Sequence, residues 1–315
     1  ELKLVKGKMN EIKVFSPASV ANLSCGYDIL GACLDGIGDE ITVRKTKNKE
    51  IKINKVSGQK LSKNVRKNVA GVSAVAFLND IKVDCGFEIE IKKGIKPGSG
   101  IGSSAASAAG SVFAINELLG KPLSNKDLIK YAAEGEKAAC GSAIYDNVAA
   151  VLLGGFTLVR EKNDIIKLNS PIGLAFTILH PQIEVKTSDS RALIKKVVSL
   201  ETMVKQSANL GAFVSGLYTE DYELIGRSMK DIVIEPLRSI LIPDFEKLKK
   251  ICYSNGALGF GISGSGPSVF ALSNGIIQAK KISQSLEKKY KKLNIPFDIH
   301  CSYVNNLGVR IIDLK

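Results

Sequence analysis

The sequence has no tryptophan, only two histidines (His180 and His300), and no CxxC pair among its six cysteines. Two histidines are poor provision for a histidine-dependent dyad or triad, so both are assigned structural roles. The cysteines, at 25, 33, 85, 140, 252 and 301, are too dispersed for a common zinc site or a disulfide framework, which points to a reducing cytoplasm. Long apolar runs are missing as well: no stretch approaches the roughly 20 residues of a membrane helix. The opening ELKLVKGKMN is charged without a following apolar run, so it does not read as a secretory signal. Residues 1–8 read as an extension before a start at Met9. Arginine is also scarce. Only seven of the 44 basic side chains are arginine, so the net charge of +13 is carried by scattered lysines. A nucleic-acid binder usually sets arginine, aromatics or a recognition motif beside its lysines. The excess therefore reads as a solvated surface, with no nucleic-acid or membrane partner, and its functional part is left to an anionic small substrate.

What is present is a globular composition: 315 residues, 45% apolar and 24% charged, enough for two medium domains. The fold class is α+β. Alternating apolar residues predict strands at 11–16, 40–45 and 85–92, and helical spacing predicts a helix over 65–78. A glycine-serine loop, GIKPGSGIGSSAA, leads into a helix that runs to about Leu119 and stops at Gly120. Ser124 opens the next helix, with Asp127 as its cap partner. The second half begins near residue 170 with a strand at 174–179. Helices follow around 200–217, around 221–230 and after Pro243. Two strands then flank SGSGPS, and a lysine-rich helix and terminal strands close the chain. The expected division is 9–168 and 169–315.

Three segments carry chemistry. In the loop at 96–104, Gly98, Gly100 and Gly102 let backbone N–H groups approach an anion, and Ser103 and Ser104 start a helix whose positive end suits phosphate. It is neither a Walker A loop nor G-x-G-x-x-G. Glu134, Glu136, Asp146 and Asn147 form the second group; Glu136 with Ser104 offers hard oxygens of the kind magnesium takes alongside nucleotide phosphates. The third is the glycine loop GISGSGPS at 261–268. Alone, each has a plain alternative: a turn before a close-packed helix, solvated acids, and a hairpin connection.

Together and in this order, PASVANLSCGYD (17–28), GSGIGSSAA (98–106) and GISGSGPS (261–268) resemble the three motifs of the GHMP kinases. YDNVAAVLLGG (145–155), HPQIEVKTSDSRA (180–192) and EPLRSILIPDF (235–245) are similar, within that superfamily, to the homoserine kinase family. The resemblance implies an N-terminal half like domain 2 of ribosomal protein S5, with a left-handed β-α-β unit, and a ferredoxin-like C-terminal half. It implies ATP as cofactor, bound by Asn68 near the adenine and by Lys96, Pro97, Gly98, Ser99, Gly100, Ile101, Gly102, Ser103, Ser104, Ala105 and Ala106. Mg²⁺ would be held by Ser104 and Glu136. L-homoserine would meet Asn22, Asp28, Asn147 and Thr187, with its carboxylate on Arg191 and Arg238. Guanidinium forks suit a carboxylate, and two of the rare arginines fall in these segments.

Some relatives place an aspartate base where this chain has Asn147; homoserine kinases share the asparagine, which implies catalysis by alignment and charge neutralisation, with Asn147, Glu136 and Ser104 as the catalytic set. A base role for the adjacent Asp146 stays open. The usual histidine two residues before the Asp-Asn pair is Ile144 here, and Ala150 stands at a common proline. The implied activity is phosphorylation of homoserine in threonine biosynthesis, in a cytoplasmic homodimer. The alternatives are another small hydroxylated substrate, or a ligand sensor without catalysis.

Overall fold

The computed structural model describes residues 10–141, 143–185 and 187–314; the expected start at Met9 lies outside them. The first half is built on β1 (Glu11–Ala21), β2 (Leu30–Thr46), β3 (Ile51–Ser57) and β4 (Gly86–Lys92), with α1 (Val69–Asp80) crossing between β3 and β4. The helices α2 (Ser103–Leu118), α3 (Asn125–Cys140) and α4 (Tyr145–Leu153) follow, then the hairpin β5 (Phe156–Glu161) and β6 (Asp164–Lys167). The second half runs β7 (Leu174–Pro181), α5 (Thr187–Ala192), α6 (Leu200–Thr219), α7 (Tyr222–Ser228), α8 (Glu235–Arg238), α9 (Phe245–Ser254), β8 (Gly259–Ile262), β9 (Val269–Asn274), α10 (Ile276–Tyr290), β10 (Phe297–Tyr303) and β11 (Arg310–Leu314).

Two sheets result. The first has the order β11-β1-β2-β4-β3, with β5 paired to the start of β2 and β6 to β5. Its β3 and β4 are parallel, as a helical crossover requires, while β1, β2 and β4 are antiparallel. The second sheet is antiparallel in the order β10-β7-β9-β8, with a β-α-β-β-α-β element sequence if α5–α9 count as one crossover; this is the expected ferredoxin-like arrangement. One strand crosses the expected division at 168/169: β11, at the far end of the chain, lies in the first sheet on the open side of β1.

Expected elements recur with shifted edges. The helix expected over 65–78 is broken at Asn68, which sits in an extended conformation, follows a 3₁₀ turn at Val65–Lys67 and caps α1. The Ser124–Asp127 pair forms a full capping box on α3. β3, β5 and β6 are not among the expected strands, although Ile51 and Ile53 of β3 do alternate with Lys52 and Asn54 before the register shifts. β1 and β2 extend past their expected spans through small residues such as Ser19, Gly31 and Ala32.

The small residues of α2 have a packing cause. A Cβ on Gly110 would lie 2.5 Å from Ile41 Cδ1 and 2.8 Å from Ser16 Cβ, so the helix lies directly on β1 and β2. The Ser16 hydroxyl donates to the Ala106 carbonyl (2.6 Å) across that contact. A further core joins the two sheets: Phe156 of β5 meets Phe176 of β7 and Phe213 of α6 at 6.3 and 6.0 Å between ring centres. Burying aromatics from both halves together holds them as one packed body. No helix among the described residues is long and apolar enough to cross a membrane.

Candidate active site

A cavity of about 400 Å³ opens between the two glycine loops, β1, α3 and α4. The first glycine loop is shaped by what it touches. Gly100 has φ +83°, and a Cβ there would sit 2.7 Å from the carbonyls of Gly266 and Ser263 in the second loop. At Gly102, φ +73°, a Cβ would meet Ser19 Oγ at 2.1 Å. Any side chain at either position would both strain the backbone and push the loops apart. The loops are also bonded: Ser263 Oγ donates to the Gly100 carbonyl (2.7 Å) and Ser268 N to the Ser99 carbonyl (3.3 Å).

At one end of the cavity α2 presents its N-terminus, beginning at Ser103 with Ser104 on the wall. Glu136 faces it from α3. Its carboxylate accepts from the Ser104 hydroxyl, yet Oε1 is buried without a hydrogen-bond partner. Burial pushes this group up to about 7, against the Ser104 hydrogen bond and the Lys93 charge, which favour ionisation. Behind the loop, Asp39 and Lys93 form an ion pair whose side chains are at most 1% exposed. Lys93 Nζ also donates to the Ser103 carbonyl (2.7 Å) and to Ser107 Oγ (3.0 Å). Asp39 accepts further from Ser107 Oγ (2.9 Å), Gly94 N (3.0 Å) and Ile95 N (3.2 Å).

Asn22, Asp28, Arg191 and Arg238 form the opposite end. Asn22, Leu23, Ser24 and Asp28 all have positive φ, an uncommon concentration of left-handed backbone in non-glycine residues. Asn22 accepts from Asp28 N (3.0 Å) and donates to the Gly264 carbonyl (2.8 Å), tying the first motif to the third. Arg191 reaches both oxygens of Asp28, at 3.2 and 3.3 Å. Arg238, 3% exposed, donates to the Ser190 and Gly264 carbonyls (3.3 and 3.1 Å) and lies 5.1 Å from the Tyr27 ring centre. Burial lowers its pKa, opposed by Tyr27 and Asp28.

Between the ends sit Asp146 and Asn147 at the start of α4. Ser19 Oγ donates to Asn147 Oδ1 (2.7 Å), and the Asp146 carboxylate accepts from Asn147 N (2.7 Å). Burial, with Asp28 nearby, pushes Asp146 up to about 7. Ile144 lines the cavity as an apolar side chain.

Not every expected residue faces this space. Lys96 turns outward to Gln182, and Ser99, Ile101, Ala105 and Ala106 are buried behind the wall. Asn68 does line it, but its amide is engaged at both ends, accepting from Ala70 N (3.0 Å) and donating to the Ser62 carbonyl (2.8 Å). The side chain of Thr187, at the start of α5, lies outside what the structure describes. Sequence reasoning missed Lys93, Lys67, Ser107 and Leu61 on the wall, and Ser19 behind Asn147. Among the described residues no group of three or more His, Cys, Asp or Glu could hold a metal alone.

Comparison with known proteins agrees with this arrangement. Residues 66–155 match the GHMP kinases N terminal domain and 208–292 the GHMP kinases C terminal domain. The chain is 40% identical to homoserine kinase of Chloroherpeton thalassium over 96% of its length and all of that protein. It is also 40% identical to homoserine kinase of Methanococcus vannielii, over 84% of this chain and 88% of that one. The crystal structure of homoserine kinase from Cytophaga hutchinsonii superposes with a TM-score of 0.94 at 45% identity, covering 98% of this chain and 100% of that one.

Proposed function

The chain belongs to the homoserine kinase family of the GHMP kinases, and we propose that its cavity carries out the ATP-dependent phosphorylation of L-homoserine to O-phospho-L-homoserine, a step of threonine biosynthesis. One observation carries the reading. A single cavity joins a buried carboxylate beside a helix N-terminus to an end holding one carboxylate and two guanidinium groups. The first end suits a triphosphate, and the second suits the ammonium and carboxylate of an amino acid.

ATP lies along the loop at 96–104, with its phosphates on backbone amides and on the N-terminus of α2. Its base points toward Leu61, Asn68 and Val69. Asn68 serves there by holding the start of α1, with its oxygen and one amide N–H already engaged. Ser104 and Glu136 fit a magnesium ion that arrives with the nucleotide: Glu136 Oε1 is buried and unpartnered, and a single carboxylate and a hydroxyl leave the remaining positions to phosphate and water. When bound, the ion would neutralise phosphate charge during transfer.

Homoserine lies beside the γ-phosphate. Its ammonium meets Asp28 and Asn22; its carboxylate meets Arg191 and Arg238, and Thr187 is assigned to the substrate by the family resemblance alone. Arg191 and Asp28 pair with each other, so the two ends of the amino acid exchange one internal ion pair for two new ones. The hydroxyl then faces Asn147, whose Oδ1 is held by Ser19, leaving the amide N–H to steady the reacting oxygens. The hydroxyl oxygen bonds to the γ-phosphorus as the bond to ADP breaks, and the hydroxyl proton passes to a phosphoryl oxygen. Asp146 accepts from the Asn147 backbone N–H (2.7 Å) and lies 3.5 Å from its side-chain nitrogen, and acts by positioning that residue. Cytoplasmic residence and homodimerisation belong to the same reading and rest on family membership, and the 9–168 and 169–315 division serves as its working description.

An ADP-release assay with homoserine, mevalonate and galactose tests this directly. ADP should appear with homoserine and Mg·ATP alone; turnover with either other alcohol instead would reassign the substrate, and ATP binding without any turnover would leave a sensor. The carboxylate end has its own test. Arg238→Leu should raise the homoserine KM about 100-fold, the size expected for removing one partner of a buried charged contact, with the ATP KM unchanged. An unaltered homoserine KM counts against that role.

A further inference from the structure

Arg238 sits on α8, a helix of only four residues that follows a turn at 231–234. So short a helix makes almost no internal hydrogen bonds and cannot hold its own course. The amides leading into it are met from outside instead. Asp231 Oδ1 accepts from Val233 N (2.9 Å) and Ile234 N (2.8 Å), while its Oδ2 accepts from Glu235 N (3.0 Å). Gln206 of α6 takes the remaining one, Ile232 N (3.1 Å), and donates to the Cys25 carbonyl (3.0 Å) in the first motif. Asp231 and Arg238 also line one small void of about 10 Å³, together with Asn22 and Ser24.

We propose that Asp231 is a positioning residue for the amino-acid end of the site: its carboxylate gathers three successive turn amides and so fixes the direction in which α8 carries the Arg238 guanidinium. Asp231 does not line the main cavity and makes no contact with substrate in this reading. Its influence passes through the backbone of 233–235, three residues from Arg238. Because Arg238 in turn bonds the Ser190 carbonyl beside Arg191 and the Gly264 carbonyl bonded by Asn22, a tilt of α8 disturbs the amino-acid end while leaving α2 and Glu136 in place. The inference rests on the homoserine reading of that end.

The test is a double-mutant cycle in the full chain, read as separate KM values for homoserine and ATP. Asp231→Ala should raise the homoserine KM about tenfold with the ATP KM within twofold. Asp231→Asn keeps an oxygen for the first two amides and should recover about half to two-thirds of that change on a logarithmic scale, leaving a two- to threefold rise. In an Arg238→Leu background, Asp231→Ala should change the homoserine KM by less than twofold, since the group it positions is gone. Equal rises in both KM values, or the same tenfold effect in the Arg238→Leu background, overturn the proposal. If Asp231→Ala does not fold, Asp231→Asn alone decides, with an expected two- to threefold rise in homoserine KM that disappears when Arg238 is leucine; an unchanged KM overturns it. Should Arg238→Leu itself leave the homoserine KM unaltered, it is the assignment of the amino-acid end that fails.

Discussion

Glu136→Gln is expected to lower kcat/KM by 10²- to 10³-fold while leaving a folded protein. Glutamine keeps the shape and an oxygen for the Ser104 hydroxyl but removes the negative charge that the cation end of the cavity presents. Losing one preorganised electrostatic contact at a transferring group costs about 3–4 kcal/mol, which sets that range. Near-normal turnover would overturn the proposed magnesium role of Glu136. The same substitution has a signature in stability. Burial raises Glu136 from 4.5 to about 7 in the protein without nucleotide, so between those values the folded state holds a proton that the unfolded state has lost. The stability this gives is fully present below about pH 4.5 and is lost as pH rises through 7, amounting to about 3 kcal/mol at most. Asp146, also raised to about 7 by burial, acts in the same direction. Melting curves of the nucleotide-free enzyme should therefore fall from pH 5 to pH 8, and Glu136→Gln should melt higher than the native protein at pH 8. A flat pH profile would mean that the carboxylates are better solvated than their burial implies.

Asp39→Ala should damage the fold severely, lowering unfolding free energy by about 3–5 kcal/mol, the cost of stranding one member of a buried ion pair. Without Asp39, the Lys93 ammonium has left only the Ser103 carbonyl and the Ser107 hydroxyl, and Gly94 and Ile95 lose their acceptor. Burial already lowers the Lys93 pKa against the pull of Asp39, so the residual charge would be poorly tolerated. Lys93→Met in the same chain should return a large part of the loss, because a hydrophobic isostere leaves no unpaired charge. Urea unfolding of the two single variants and the double variant measures this. A loss below about 1 kcal/mol for Asp39→Ala would show that water reaches the pair.

These two residues mark where sequence reading reached its limit. Glu136 was accessible: Leu128, Ile129, Ala132 and Ala133 are buried on the face of α3 that also carries Glu136, while Glu134 points out. A carboxylate on an apolar helix face, with a glycine loop upstream, is an unusual pattern in a chain otherwise rich in solvated charge. Lys93 had no such mark. It stands beside Lys92 in a lysine-rich sequence, and its partner is 54 positions away on another strand. Only β2–β4 pairing, which sets Glu40 against Lys92, brings Asp39 and Lys93 to the same end of the sheet. The glycine loops were legible because backbone shape there depends on residue type, although that Gly100 packs against Gly266 was not. Asn68 shows the opposite case: it lines the cavity, but which of its hydrogen bonds are already spent depends on Ser62 and Ala70 folding around it. Likewise α8 is too short to carry any periodicity, and its direction depends on Asp231.

The pairing of β11 with β1 bears on how the protein is made. Ile12 lies opposite Leu314 in that register, and β1 also carries Ser19, the hydroxyl that orients Asn147. A ribosome delivers Glu11–Ala21 nearly three hundred residues before Arg310–Leu314, so β1 has one bare edge until β11 is made. Bare edges invite pairing with strangers. Vectorial folding from the N-terminus, the usual order for multidomain chains, can assemble the first glycine loop and α2 early, but the sheet beneath them is sealed only when β11 emerges.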